Sequence, residues 1–577
     1  MILKTAYSVG DIPHGEHPAP QRQREDFVIL NGKWDLKKIA SDGKENFSGK
    51  VLVPFSPETL NGGIEEEFKL NQGEKLIYSR TFTVDKKYLT KKAVLHFGAV
   101  DSECKITLNG KLLGAHRCGF TPFSFEGSDY LNLGENSLIV EVIDEATRNS
   151  YASGKQSDKH GEIWYTPQSG IWQTVWLEFM PKVSVDDIKI TPSKDEKRVD
   201  ITFNCAEEVT VSVFDDGNKI LSATGKDCLS FAYDFEFWSP ENPKLYDLVF
   251  ENKSGDKVKS YFGYRYFSTV TDKKGKKRFA LNGKPYFFNG VLDQGYWSDG
   301  LLTYSTDDAA IDELKMLKNM GFNTVRKHIK VEPLRWYYHC DRIGLIVWQD
   351  FVNGGDAYVD SHIRILPFLG FMHRDDDYKY FSRQDKDGRE EYVEMAKDII
   401  ETLYNCVSVG LYVPFNEGWG QFDSKKITDM VSSLDGTRLI DSVSGWHDQG
   451  KENTPVKSLH TYYTPLKVPK DERVVVLSEF GGYSMKVDGH VYNQEKEFGY
   501  KKFKNSQKFI AAIEKLYLKK LLPLIEKGLC AAIYTQVSDV EEEINGLVTF
   551  DRKIIKIPVE KMKEINDKLF SVWGKIE

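Results

Sequence analysis

The sequence predicts a multidomain β plus α/β protein: an N-terminal jelly-roll β-sandwich, an immunoglobulin-like β-sandwich and a C-terminal (β/α)8 barrel. Two observations carry this. Short alternating strands divided by turn residues run through the first half of the chain. From residue 271, apolar strand segments alternate with amphipathic helices, the grammar of a parallel sheet wrapped in helices. Eight such strands in about 300 residues match one barrel.

Residues 1–183 form the first unit. Ala93–Phe97, Cys104–Leu108 and Asn136–Val142 read as strands, and Asn109-Gly110 as a hairpin turn that needs positive φ twice. Residues 184–270 repeat the pattern on a smaller scale, with Val199–Phe203 and Val209–Phe214 alternating apolar and polar. The Lys- and Gly-rich run 271–277 is a linker or hairpin tip, and the barrel occupies 271–577. Its expected strands are Phe287–Val291, Asn323–Lys327, Leu345–Gln349, Gly410–Phe415, Arg438–Ser442, Val456–Tyr462, Val474–Glu479 and Ala531–Gln536. One helix starts near Ser305 or Thr306, shows Ile311, Leu314 and Leu317, and stops at Gly321; another runs from Pro333 to Gly344. A third carries Tyr392, Met395, Ile399 and Leu403; a fourth runs from Ser506 to Gly528 with Phe509, Ile513 and Leu516 on one face. The segment 351–408 is long for a βα connection and reads as an active-site insertion.

Bulk properties narrow the function. Net charge is −8 with acids and bases interspersed, which argues against nucleic acid as partner. No run of about 18 apolar residues exists to span a membrane. The N-terminus shows no apolar h-region, and the seven cysteines form no CxxC pair, so a cytoplasmic protein with reduced thiols is expected. Aromatics make up 13% of the chain, including 11 Trp and 29 Tyr, a supply that suits sugar stacking as well as β-rich cores.

Barrel chemistry sits at the C-terminal strand ends. The fourth strand ends Val413-Pro-Phe-Asn416-Glu417-Gly-Trp419, and the seventh ends Val476-Leu-Ser-Glu479-Phe-Gly-Gly482. Each sets one glutamate just past an apolar strand, and strands four and seven face each other across the mouth. Glycoside hydrolysis needs such a pair, one carboxyl protonated and one ionised. Weaker candidates to line a sugar pocket are Asp293 after the first strand, His328 after the second, Asp350 at the end of the third, Trp419 after Glu417, and Trp446 and His447 after the fifth. Sugars need planar hydrogen-bond partners and an aromatic platform; packing is the competing role for each residue.

At these motifs the chain resembles glycoside hydrolase family 2, which holds β-galactosidases, β-glucuronidases and β-mannosidases. Asn416-Glu417 and Ser478-Glu479-Phe480-Gly481 resemble its acid/base and nucleophile motifs. Leu30-Asn-Gly-Lys-Trp34 resembles the entry to its jelly roll, Ser169-Gly170-Ile-Trp172 its domain-boundary strand, and Phe279-Ala-Leu-Asn282-Gly283 its approach to the barrel. The resemblance implies that Glu417 protonates the leaving oxygen, Glu479 attacks the anomeric carbon and Asn416 binds the sugar 2-hydroxyl. It also implies that Tyr462 hydrogen-bonds the nucleophile and that Arg326 lies beside it.

The chain departs from the family in places. The large β-galactosidases carry a His-rich segment after the first strand, where this chain reads Leu292-Asp-Gln-Gly-Tyr-Trp-Ser298, and a His where Ile329 stands. Their magnesium ligands are not matched, so no metal and no cofactor is expected. Glu543-Ile-Asn545 falls where β-glucuronidases hold a uronate with Asn-x-Lys, and a glutamate there would repel the carboxylate. The expectation is a retaining exo-β-glycosidase acting on an oligosaccharide or glycoside, β-galactosidase-like as a first guess. β-Mannosidase, β-glucosidase, β-glucuronidase and arabinosidase stay open, as do a non-catalytic carbohydrate-binding protein, an enzyme cutting inside a polymer, and assembly into a homo-oligomer.

Overall fold

The computed structural model describes residues 3–576 apart from positions 66, 146, 148, 149, 195, 368, 450, 451 and 453, and the side chain at 364. Two antiparallel sheets of four and six strands make the first sandwich. Alternate residues of both sheets, among them Trp34, Leu36, Tyr78, Leu95, Phe97, Ile106, Val140 and Leu177, fill the space between them. Glu103–Leu108 and Lys111–Arg117 pair as a hairpin. Its turn is Asn109 (φ 51°) and Gly110 (φ 77°), the positive pair the dipeptide predicts. A second sandwich of three and four strands follows, closed over Val199, Ile201, Val211, Val213, Leu248 and Phe250.

The run 271–277 is the tip of a hairpin: Phe267–Thr271 pairs with Lys277–Leu281. This hairpin plugs the bottom of the barrel, where Phe279 stacks on Phe288 at 4.8 Å and meets Trp348 edge-on.

The barrel strands are β1 (Phe288–Asp293), β2 (Thr324–Lys327), β3 (Ile346–Asp350), β4 (Val409–Val413), β5 (Leu439–Ile440), β6 (Val456–Thr461), β7 (Val474–Gly481) and β8 (Leu529–Thr535). Most of their residues are buried on both faces, as parallel strands under helices must be. Inward-facing Phe288, Leu292, Ile346, Trp348, Leu411, Val413, Val476 and Ile533 stack as a packed interior.

The hydrogen-bonded order is β5-β4-β3-β2-β1-β8-β7-β6. Among the described residues no ladder joins β5 to β6. That seam is closed by side chains: Ser458 Oγ on β6 lies 2.9 Å from Asp441 Oδ1 and 3.2 Å from the Val443 carbonyl.

Helices α1 (Asp307–Asn319), α2 (Leu334–Ile343) and α3 (Lys386–Leu403) follow β1, β2 and β3, and α4 (Ser424–Leu434) follows β4. Thr306 caps α1 by accepting the Ala309 N–H at 3.2 Å, and Gly344 ends α2 at φ 81°. Ala310, Glu313, Leu314 and Leu317 are the buried face of α1, so Ile311 lies at its edge; Glu313 pairs with Arg552 at 2.9 Å.

The expected eight strand–helix alternations are reduced to six. After β5 the chain is polar and Gly-rich, and after β6 it carries Pro465 and Pro469; neither stretch forms a helix among the described residues. The helix beginning at Ser506 is regular only to Lys515, then widens into a π-helical turn over Leu516–Leu521 before a last turn at Leu522–Ile525. No helix among the described residues is long and apolar enough to cross a membrane.

Two excursions wall the barrel mouth. The insertion after β3 carries one short π-helical turn, Ser361–Ile365, before α3. A jelly-roll loop leans on it: Ala152 bridges Gly354, and Arg383 donates to the Ser150 carbonyl at 2.6 Å.

Candidate active site

Past β4, Phe415-Asn416 pairs in parallel with Val443-Ser444, and the Glu417 N–H donates to the Ser444 carbonyl at 2.9 Å. The chain then turns sharply. Glu417 sits at φ 52°, a conformation rare outside glycine and frequent at functional sites. Gly418 follows at φ 77°, where a Cβ would lie 2.8 Å from the His447 ring. On β7 the register slips between Leu477 and Phe480. That bulge breaks the plain alternation, which would send Glu479 outward once Ser478 faces in. Both carboxylates thus face one enclosed site, with Glu417 8% and Glu479 6% exposed. Glu417, Glu479 and the His460 ring offer atoms that all lie within 4.8 Å of one another.

Arg326 is the hub beneath them. It donates Nη1 to the Ser478 carbonyl at 3.0 Å and to Glu479 Oε1 at 3.2 Å, Nη2 to Asn416 Oδ1 at 2.8 Å, and Nε to Asp350 at 3.0 Å. Asp350 also meets His328 Nδ1 at 2.5 Å. Its oxygens are engaged by Arg326 and His328, so Asp350 orients the arginine and leaves the sugar to others. Asn416 gives its oxygen to Arg326, which aims its Nδ2 away from the guanidinium; that buried nitrogen has no partner among the described residues. A buried donor left so is costly unless a ligand satisfies it. Tyr462 donates to Glu479 Oε2 at 2.5 Å, lies 3.0 Å from Thr535 Oγ1, and stacks on Tyr500 at 3.7 Å.

The surroundings push the two carboxylates in opposite directions. Burial pushes Glu417 above the usual carboxylate range, and the charge of Glu479 adds to this against the pull of His460. Burial acts on Glu479 too, but His460 and Arg326 outweigh it and hold it low. One acid and one base side by side is what double displacement requires.

Other expected residues lie elsewhere or act differently. Asp293 points out of the barrel, locked to Lys327 Nζ at 2.5 Å, because alternation along β1 sends Leu292 inward and Asp293 outward. His447 turns to the insertion, its Nδ1 accepting the His373 N–H at 3.1 Å. Trp446 lies at the rim with its ring 6.3 Å from His460. Trp419 and His328 pack beside the carboxylates, 6.1 Å apart edge to face.

Sequence reasoning missed three residues here, His460, Lys155 and Tyr500, and read a fourth, Glu543, only as a group that would repel a uronate. His460 binds Glu417 Oε1 through Nδ1 at 2.7 Å. It lies near the end of β6, two positions before Tyr462, a spacing that period-two alternation continued past the strand end could have supplied. Lys155, Tyr500 and Glu543 come from loops without local periodicity. Lys155 is buried, its Nζ 5.0 Å from the Trp419 ring centroid and 5.7 Å from that of Tyr165. Glu543 accepts from Tyr165 and from Asn545 at 3.0 Å.

Replacing Arg326 by methionine should strip partners from Asp350, Asn416 and Glu479 together. A loss of about 3–5 kcal/mol is expected for the buried pairs. Thermal or denaturant unfolding of the variant measures it, and an unchanged midpoint would count against the hub.

Three family models match the chain in order: glycosyl hydrolases family 2 sugar binding domain over 58–181, glycosyl hydrolases family 2 over 183–265, and its TIM barrel domain over 272–490. A β-galactosidase of Streptococcus thermophilus is 30% identical over 383 residues, 63% of this chain and 35% of that protein. A β-glucuronidase of Streptococcus agalactiae is 27% identical over 344 residues, 55% of this chain and 56% of that protein. The chain therefore spans about a third to a half of the length of the curated relatives it matches. A β-D-glucuronidase structure from Dictyoglomus thermophilum shares the fold with TM-score 0.73 at 17% identity, over 96% of this chain and 99% of that one. Three matching domains in sequence, with the motif residues gathered at one barrel mouth, place this chain in glycoside hydrolase family 2.

Proposed function

We propose that the chain is a retaining exo-β-glycosidase. Glu417 gives a proton to the glycosidic oxygen while Glu479 attacks the anomeric carbon, and Glu417 then takes a proton from the water that releases the sugar. The observation that carries this reading is the spacing. Atoms of the two carboxylates lie within 4.8 Å of each other, which fits the retaining class, at about 5–5.5 Å, better than the inverting class, at about 6.5–9.5 Å. Asn416 Nδ2 supports it as a free donor for the sugar 2-hydroxyl. The burial of both carboxylates favours a terminal sugar over a chain threaded through a groove, and a purely sugar-binding protein has no use for two carboxylates pushed in opposite directions.

A terminal β-galactoside is the first substrate to try, in keeping with the galactosidase relatives. The decisive experiment is proton NMR of the first-formed sugar on the best nitrophenyl glycoside of a panel. The β-anomer should appear first and mutarotate; first appearance of the α-anomer would exclude the nucleophile role of Glu479, and inertness on the whole panel would favour the binding-protein reading.

One observation favours a second substrate class. Lys155 is a buried ammonium that bonds to no carboxylate among the described residues, and a uronate would supply one. Glu543 opposes this reading by like charge, although burial pushes its carboxyl above the usual range, toward the neutral acid. If the substrate is a β-uronide, Lys155→Met should cut kcat/KM on it by about 100-fold or more and leave neutral glycosides within a few-fold. Equal losses on both would return the choice to neutral sugars.

A further inference from the structure

We infer that the acid proton of this site is held jointly by Glu417 and His460, so that the two side chains work as one proton-storing unit, with His460 as a positioning residue for the acid/base. The inference rests on the reading of Glu417 as the acid/base and adds to it a partner that sets the proton's position.

The hydrogen-bond chain fixes the ring. Ser478 Oγ donates to the Leu459 carbonyl at 3.5 Å, and Ser444 Oγ donates to Ser478 Oγ at 2.9 Å. Ser444 has then spent its hydrogen, so at 3.0 Å it accepts one from His460 Nε2. With a hydrogen on Nε2, the ring meets Glu417 Oε1 at 2.7 Å through Nδ1, which carries either a lone pair or a second proton. Either Glu417 donates O–H to a neutral ring, or a cationic ring donates N–H to the carboxylate. Both states hold one proton between the same two atoms. The ring cannot swing away: its side chain is shut off from solvent, and Gly445 presses so close that a Cβ would lie 2.7 Å from Nδ1.

Charged groups on several elements face the pair. Glu479 Oε2 lies 3.5 Å from Nδ1 and favours a cationic ring. Asp350 and Asp441 also feel the charge of His460, on the same side of the balance. His328 feels it from the opposite side, and Arg326 sits between Asp350 and Glu479. Lys155 acts on Glu417 directly, in the direction that favours its ionised form. The Trp446 ring, at 6.3 Å, brings no charge.

The proton balance over a turnover follows. When the leaving oxygen takes the shared proton, none is left between Oε1 and Nδ1: Glu417 is ionised and the ring is neutral, its one hydrogen on Nε2 facing Ser444. When water attacks the glycosyl ester, its proton returns to Glu417, and the pair recovers the one it lent. Sharing over two sites also means that the last proton leaves at a higher pH than from an isolated buried glutamate with a fixed donor.

His460→Asn separates these roles, because the Asn amide can still donate toward Oε1 but cannot titrate. In a pH profile of kcat/KM on a glycoside with a poor leaving group, the alkaline limb should move down by about one unit or more. The acidic limb should move up, since Glu479 loses a neighbouring cation. His460→Ala should lose the donor as well and fall further in kcat than His460→Asn. Superimposable profiles for wild type and His460→Asn would overturn the inference.

A second readout needs no turnover. In histidine-labelled protein, a downfield, exchange-protected proton bonded at His460 Nδ1, identified by its loss in folded His460→Asn, should be seen in wild type and move upfield in Glu417→Gln. Its absence from wild type would refute the shared proton even if every glycoside proved inert. Its presence in an inert protein would instead uphold the pair and overturn the proposed activity.

Discussion

Glu479→Ala should lower kcat on aryl glycosides by about 10⁵-fold or more, because it removes the carboxylate assigned to attack the anomeric carbon. Alanine leaves more than a missing nucleophile. Arg326 loses one of its two anionic partners, and the Tyr462 hydroxyl loses its acceptor. The vacated space is therefore lined by a guanidinium and a hydroxyl donor, which suits a small anion. Azide or formate should enter it and restore turnover, and with azide the product should be the α-glycosyl azide. Full activity in the variant, or rescue that yields the β-azide, would show that attack comes from elsewhere. Thermal unfolding should be measured beside it, since the alanine also leaves a buried cation short of a partner.

Glu417→Gln should divide substrates by leaving group. On glycosides of poor leaving groups the loss of acid assistance should cost about 10²–10⁴-fold in kcat/KM. On dinitrophenyl glycosides, whose leaving group needs no proton, the first step should be nearly unaffected, and slow hydrolysis of the ester should then limit kcat and depress KM. The pH profile gives the sign. Glu417 is pushed up by burial and by Glu479, so the wild type keeps its acid form into higher pH and loses activity as pH rises through that value. Glu479 is held low, so activity falls on the acid side only as pH drops through its own lower value. Glu417→Gln should keep the acidic limb and lose the alkaline one on activated substrates. Equal collapse on activated and natural glycosides would place the acid elsewhere.

The architecture was largely legible because its signals are local. Asn109-Gly110 demanded its turn, Gly344 its helix end, and the apolar strands of the barrel stood out against their polar connections. The eight strands were readable even where the helices between them were not: after β5 and β6, proline and polar residues removed the periodicity that a helix needs. Glu417 and Glu479 were findable because one lies just past the Phe415-Asn416 pairing and the other in the last residues of β7, the ends where barrels keep their chemistry. Roles were less accessible. Whether an acid at a strand end faces in or out depends on one register step, which separates the locked Asp293 from the inward Glu479, and that step is set by a bulge no propensity announces. Asp350 is inward as expected, but its oxygens are taken by Arg326 and His328, a partnership that exists only once three strands align. Lys155 arrives from another domain, so no barrel motif could have named it.

The most direct test is to trap the intermediate. Incubation with the 2-deoxy-2-fluoro analogue of the preferred glycoside, bearing a dinitrophenolate leaving group, should release one equivalent of phenolate and leave a stable sugar ester. Peptide mapping by mass spectrometry should find that ester on Glu479 and nowhere else, and Glu417→Gln should still form it. A label on another residue, or release of phenolate with no adduct together with an inverted product, would contradict the assignment of Glu479 and Glu417 as nucleophile and acid/base.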